Sequence, residues 1–380
     1  MEHENIVIIG GGFSGIQSLK TLYKLRKSWL PKYKLILIDR KENFEFLPLL
    51  PDVLSGKIKA TSISSPLKEL SQKYKCQFIQ ENVHAVDKDK KTIQLDNRII
   101  PYTYLIISTG AEPNFFDNNI AREQCYTLNN AASSTKLSDK LENHTYDNII
   151  IVGGGYTGIE IATAIRSKKP HQNIYILEQS DNILNNVPKW ISQKVKKELE
   201  NLEIKVLTND SLKSYDKTLM ITNSGKKLDN SLCIWSTGMK APNLADNLKY
   251  PMQYGRVQVE SNLTPLNNNN NDNIFIAGDS GVFNLKNIPL RMGVNFSICE
   301  GRIAAKNIIR SIEDKPLLNY KPVDLGYIIP MAHGKAYGLI MGNKIKGLLG
   351  YCLHYFICII KSEGVNKIAV IRDLICKRRS

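Results

Sequence analysis

The chain has 380 residues, 42% hydrophobic and 23% charged, too many for one core and in the proportions of a globular protein of two or three domains. Its formal net charge of +15 admits nucleic acid, anionic lipid or an anionic cofactor as partner, yet no zinc finger, RNA-recognition signature or basic heptad favours nucleic acid. Seven scattered cysteines, with no C-x-x-C or C-x-x-x-x-C, exclude a disulfide framework and indicate reduced thiols in a cytosolic setting.

Met1 to Asn5 is short and polar, so no secretory or transit segment is expected, and no run reaches the ~20 apolar residues of a spanning helix. The apolar strand Ile6-Val7-Ile8-Ile9 then runs into Gly10-Gly11-Gly12-Phe13-Ser14-Gly15. A G-x-G-x-x-G turn supplies backbone conformations and a close approach that side chains forbid, and it presents a helix N-terminus to a pyrophosphate. A second strand, Tyr33 to Ile38, ends at Asp39, about 24 residues after Gly15, where a carboxylate can accept from a ribose hydroxyl. Residues 43–51, with Phe44, Phe46, Pro48 and Pro51, read as a proline-punctuated loop packed on a cofactor. Residues 77–95 alternate in the strand manner and predict a hairpin turning at Lys88 to Lys91. Tyr104 to Ile107 is a buried parallel strand ending at Ser108-Thr109-Gly110, and residues 112–146 read as a polar, helix-like connection.

The plan then repeats. Ile149 to Val152 leads into Gly153-Gly154-Gly155-Tyr156-Thr157-Gly158, and the next strand ends at Glu178, about 20 residues after Gly158. A carboxylate there repels a 2′-phosphate, which favours NAD(H) over NADP(H). Helical spacing over 188–202 and strands over 204–232 close the second unit at Trp235-Ser236-Thr237-Gly238, repeating the earlier exit. Asn267 to Asn271 is a solvated loop, and Ile274 to Ala277 is a short strand delivering Gly278 and Asp279. Helical spacing returns over 300–312. Finally, residues 347–360 are uncharged, flanked by Lys344, Lys346 and Lys361, and followed by the basic tail Lys367, Arg372, Lys377, Arg378 and Arg379. This segment is too short to cross a bilayer and suits a core helix or a membrane-surface helix, of which the basic flanks and aromatic residues favour the second.

These residues resemble the flavoproteins with two dinucleotide-binding domains, most of all the type II NADH:quinone oxidoreductases, over nearly the full length. The resemblance rests on both glycine motifs, on Phe46-Leu47-Pro48-Leu49-Leu50-Pro51 (family F-x-P-L-L-P), on Thr109-Gly110, Trp235 to Gly238, and Ile276 to Asp279. It implies an α/β fold of two Rossmann-like, glutathione-reductase-like domains with a C-terminal amphipathic membrane-anchoring segment. Their expected extents are 1–112 and 246–325 for FAD, 113–245 for NADH and 326–380 for the anchor. It implies non-covalent FAD held by Gly10, Gly12, Phe13, Ser14, Gly15, Asp39, Arg40, Pro48, Leu49, Val83, Thr109, Gly110, Gly278 and Asp279. NADH would be held by Gly153, Gly155, Tyr156, Thr157, Gly158, Glu178 and Gly238, with Glu160 as the catalytic carboxylate. Hydride would pass from NADH to flavin and two electrons on to a quinone, with no metal and no proton pumping, on the inner face of the cell membrane; a homodimer is allowed. One departure stands out: where the family carries A-Q-x-x-x-Q-Q-G at the quinone pocket, this chain has Val294 to Gly301, with Asn295, Cys299 and Glu300 at the three amide positions. Asn295 and Cys299 are the candidate quinone contacts. Alternative readings are a sulfide:quinone oxidoreductase, a soluble ferredoxin or rubredoxin reductase, and a non-enzymatic NADH/FAD redox sensor; the missing C-x-x-x-x-C excludes the disulfide reductases.

Overall fold

The computed structural model describes residues 4–26, 32–244, 248–268, 273–362 and 364–376. The tail residues Lys377 to Arg379 and part of the asparagine run lie outside them. Contacts divide the chain into two units, Met1–Phe44 with Ser65–Glu112 and Met239–Asp324, and Glu45–Ser64 with Pro113–Gly238 and Leu325–Ser380.

The first unit is built on a five-stranded parallel sheet in the order Ile274–Ile276, Tyr104–Ile107, Glu4–Ile9, Tyr33–Asp39, Gln77–Gln80. The chain starts in the middle, moves outward on one side, then crosses to the other. Its topological switch point is therefore the carboxyl end of Glu4–Ile9, the place where such sheets open a ligand crevice. Gln77–Gln80 is the outer strand of this sheet, which corrects the expected hairpin: the antiparallel pair is Val83–Asp87 with Thr92–Leu95, extended by Ile99–Pro101. The helices Phe13–Lys24 and Val294–Ile312 touch backbone to backbone. A Cβ on Gly301 would stand 2.2 Å from the Ser14 carbonyl oxygen, and Ser18 Oγ donates to the Gly301 carbonyl at 2.8 Å.

The second unit repeats four strands of this topology, Ser231–Trp235, Asn148–Val152, Asn173–Leu177 and Ile204–Leu207, and its outer strand beside Ser231–Trp235 is Tyr126–Thr127, which comes before the glycine turn in the chain; all are parallel. Its central strand shows why such strands read as continuous apolar runs. Ile149 and Ile151 pack with Leu137, Leu141, Ile159 and Ile165 on one face, while Ile150 and Val152 pack with Tyr175, Cys233 and Trp235 on the other. The 112–146 connection holds two helices, Asn119–Gln124 and Ala131–Asn143, on either side of the strand Tyr126–Thr127, the second helix opened by a capping box between Asn130 and Ser133. Residues 43–51 are not the expected loop: after the strand Asn43–Glu45, a 3-10 turn at Leu47–Leu49 feeds the helix Leu50–Leu54. Proline is tolerated in a first helical turn because those amides have no intrahelical acceptor. Leu54 joins the second unit's core, and so do Ile329, Met331 and Ala332 from the C-terminal segment. That segment forms an antiparallel sheet of Gly326–Pro330, Ala336–Ile340 and Asn343–Lys346, then the helices Gly347–Lys361 and Lys367–Cys376.

Candidate functional site

Each glycine turn is built to one plan. Gly10 has φ +99° and Gly153 φ +114°, and an added Cβ would stand 2.3 Å from the Ser108 carbonyl oxygen in the first and 2.9 Å from the Ser236 carbonyl oxygen in the second. Gly15 and Gly158 close on the first glycine's carbonyl so tightly that a Cβ would come within 1.8 and 2.0 Å of it. By contrast, an added Cβ at Gly12 or Gly155 would meet nothing within 4 Å, leaving open the face from which a pyrophosphate approaches the helix N-terminus.

The strand-end carboxylates do more than await a ribose. Asp39 accepts from the Gly11 amide at 2.6 Å and the Lys41 amide at 2.8 Å. Glu178 accepts from the Gly154 amide at 2.7 Å and the Ser180 amide at 2.9 Å. One oxygen of each carboxylate therefore latches the glycine turn to the second strand and the other caps the residues that follow that strand, with further lone pairs left for hydroxyl donors.

In the first unit, Gly10, Asp39, Arg40, Val83 and Thr109 line one cavity of about 290 Å³, with Glu81, Asn82 and His84 added by the fold. The exit strand and the late strand converge beside it. Gly110 N donates to Ser280 Oγ at 3.0 Å, Ser14 Oγ donates to the Ala277 carbonyl at 3.2 Å, and a Cβ on Gly278 would lie 2.5 Å from Ser14 Oγ. Burial raises the Asp279 carboxyl above its ordinary value, opposed by the nearby Arg256 guanidinium. The Phe13 ring packs edge-on against Phe44 at 5.3 Å.

In the second unit, Gly153, Gly155, Glu178 and Gly238 line a cavity of about 480 Å³ together with Phe115, Phe116, Trp235, Ser236 and Thr237. Thr237 Oγ1 is buried with no hydrogen-bond partner, an orphaned polar atom that a ligand here would satisfy. Tyr156 packs edge-on against Tyr327 at 5.4 Å and Thr157 is exposed; neither lines the cavity. The residues of both turns thus fit a dinucleotide.

A third cavity, of about 530 Å³, lies within the second unit, and Glu160 lines it with Asp52, Lys57, His333, Tyr351 and Tyr355. Burial, reinforced by the Asp52 charge, pushes the Glu160 carboxyl up to about 8, so it carries a proton at neutral pH. Burial likewise raises Asp52, against the pull of Lys57 and a 2.6 Å hydrogen bond from Tyr355 OH. Lys57 Nζ donates to Tyr351 OH at 2.7 Å and sits 3.8 Å over the Tyr355 ring centre. Burial pushes His354 down to about 4. Apart from Glu160, these residues carried no sequence signal: Asp52 and Tyr355 are 303 positions apart and belong to no motif.

The other expected positions fall elsewhere. Leu49 is fully buried and Pro48 half-buried, both outside these cavities. Asn295 Nδ2 donates to the Val323 carbonyl at 3.2 Å, and Cys299 is half-buried on the same helix. Glu300 turns inward: its Oε2 accepts from Gly278 N at 2.8 Å, and burial lifts its carboxyl to about 7. Among the described residues no group of three or more His, Cys, Asp or Glu could hold a metal ion, and no helix is long and apolar enough to cross a membrane.

The chain is similar to known proteins over most of its length. The chain is 23% identical over 375 residues to a type II NADH:quinone oxidoreductase of Staphylococcus saprophyticus, covering 91% of this chain and 92% of that protein. Its fold is similar to NDH2 from Plasmodium falciparum in complex with NADH, with TM-score 0.80 and 20% identity over 96% of this chain and all of that one. The sulfide:quinone oxidoreductase of Aquifex aeolicus is similar too, with TM-score 0.79 and 18% identity over 98% and 96% of the two chains. The family model for pyridine nucleotide-disulphide oxidoreductases matches residues 4–292, and the chain belongs to that family.

Proposed function

We propose that the protein is a type II NADH:quinone oxidoreductase, holding FAD at the first glycine turn and NADH at the second and passing two electrons to a membrane quinone without pumping protons. The observation that carries this is the repeated latch: two turns, two strand-end carboxylates and two cavities on one plan, in a chain whose likeness to a type II enzyme runs over 91% of its length. A flavin, when bound, supplies the capacity to take a hydride and give up electrons.

The chain's own residues bind, orient and protonate. Gly10 to Gly15 receive the FAD pyrophosphate, Asp39 the adenosine ribose and Asp279 the ribityl chain; Arg40, Pro48, Leu49, Val83, Thr109, Gly110 and Gly278 complete the flavin contacts. Gly153 to Gly158, Glu178 and Gly238 hold NADH, and the latch carboxylate at 178 disfavours a 2′-phosphate. Reducing a quinone to a quinol consumes two protons, and Glu160 holds one beside its cavity at neutral pH. Asn295 and Cys299, at the family's amide positions, are proposed as acceptor contacts.

Membrane attachment is part of the proposal. Leu349, Cys352, Phe356 and Ile360 form an exposed stripe at helical spacing, continued by Ile368, Ile371 and Ile375, with Lys344, Lys346 and Lys367 nearby. Apolar side chains that leave water for lipid, beside cations that meet anionic headgroups, suit a helix lying on the inner face of the cell membrane.

The test is anaerobic mixing of the FAD-loaded protein with NADH, then with ubiquinone or menaquinone analogues, reading the flavin's visible absorbance. NADH bleaches it quickly, NADPH slowly, and a quinone restores it. Bleaching by NADH with no restoration by any quinone would sink the acceptor assignment and favour the redox-sensor reading.

A further inference from the structure

The parallel pairing of Tyr126–Thr127 with Ser231–Trp235 sets Tyr126 beside Ile234 and Thr127 beside Trp235. One step back along both strands, Cys125 stands beside Cys233. Neighbouring parallel strands run ~4.8 Å apart, inside the ~4.4–6.8 Å window of Cα separations that a disulfide bridges. The side chains also face each other: Cys125 Sγ lies 3.0 Å from Cys233 Sγ, and both thiols are free. Cys125 ends the short helix Asn119–Gln124 in an extended conformation and is half-buried. Cys233 is fully buried, and its thiol is pushed well up by burial and by its partner.

We propose that Cys125 and Cys233 are a reversible redox pair, closed to a disulfide by a peroxide and reopened by a dithiol. The half-buried Cys125 is the entry point. Its sulfur attacks hydrogen peroxide, forming the sulfenic acid and releasing water; Cys233 sulfur then attacks the sulfenyl sulfur, the S–S bond forms, and a second water leaves with the Cys233 proton. Two thiols and one peroxide thus become one disulfide and two waters. A dithiol reverses the step by exchange at the more accessible sulfur.

The position gives the bond a consequence. Phe115, Phe116 and Asn118, just before the Cys125 helix, form one wall of the second glycine-turn cavity, and Trp235 to Gly238, just after Cys233, form another. The walls already touch: Trp235 Nε1 donates to the Asn114 carbonyl at 2.9 Å, and Phe115 stacks on Trp235 with ring centres 6.0 Å apart. A disulfide draws the sulfurs about 1 Å closer and ties these walls together. This consequence, unlike the bond itself, rests on reading that cavity as the NADH site, and it is a raised KM for NADH in the oxidised protein.

The holoprotein is treated with stoichiometric hydrogen peroxide, alkylated, and mapped by mass spectrometry without reduction. A Cys125–Cys233 linked peptide with loss of about 2 Da, removed by dithiothreitol, is the expected result. Cys233→Ser then leaves Cys125 trappable as sulfenic acid by a 1,3-diketone, and Cys125→Ser leaves Cys233 unmodified. If the wild-type protein forms no linked peptide until denatured, the redox pair is overturned. If the linked peptide forms and the KM for NADH is unchanged, the consequence for the site is overturned and the pair stands.

Discussion

Replacing Glu300 by glutamine restores the amide found at this position in the family motif and probes why this chain departs from it. Glu300 is 6% exposed, and its Oε2 takes the Gly278 amide at 2.8 Å, a bond that glutamine's carbonyl oxygen can keep. Burial and the neighbouring Asp279 charge raise the carboxyl from an ordinary 4.5 to about 7, with the Gly278 amide and Arg256 opposing. A carboxyl raised on folding contributes its full stability below 4.5 and loses it as the pH climbs through about 7. At 1.36 kcal/mol per unit of pKa, the ionised side chain costs the folded state about 3 kcal/mol, roughly half of it arriving between about pH 6 and about pH 9. Glu300→Gln has no such cost. At ~2–4 °C per kcal/mol for a unit of this size, the melting temperature of the variant exceeds that of the wild type by several degrees more at pH 9 than at pH 6. Scanning calorimetry of the holoprotein across that range reads the difference. A gap between the two proteins that stays constant with pH would refute the reasoning, because only a titrating side chain makes the gap grow.

Three further outcomes are expected. Glu178→Ala frees the Gly154 and Ser180 amides and removes a ribose acceptor; losing about 1.5 kcal/mol lowers kcat/KM for NADH about tenfold and narrows the preference over NADPH, and an unchanged NADH to NADPH ratio would count against the second site. Glu160→Gln removes the alkaline limb of the quinone-reduction profile, since the wild-type carboxyl loses its proton as the pH rises through about 8; a profile identical in both proteins would remove Glu160 from the mechanism. Changing Leu349, Phe356 and Ile360 to serine weakens binding to anionic vesicles in flotation assays while leaving flavin reduction by NADH intact, and unaltered flotation would locate the membrane contact elsewhere.

What was legible in the sequence is the material whose physics is local. A glycine turn, the helix after it and a carboxylate at the next strand end lie within about 30 residues, and each is constrained by backbone geometry that few other residues satisfy. The duplication of Gly10 to Asp39 in Gly153 to Glu178 therefore announces two copies of one unit. The apolar run at Tyr104–Ile107, repeated at residues 232–235, likewise reads as a buried parallel strand, because both faces of such a strand are covered.

The tertiary structure decided what depends on residues far apart in the chain. The carboxylates of Asp39 and Glu178 hold the turns themselves as well as facing a ligand crevice. Gly301 is small because Ser14's backbone lies against it. The proline-rich residues 47–54 become a turn and a helix whose Leu54 enters the second core, beside Asp52, Lys57 and Tyr355 at one cavity. Cys125 meets Cys233 only because two parallel strands adopt one register out of several. Local conformational demand is written into neighbouring residues and can be read from them. Which buried groups share a site follows from the packing of elements separated by tens to hundreds of residues, and no periodicity in the chain records it.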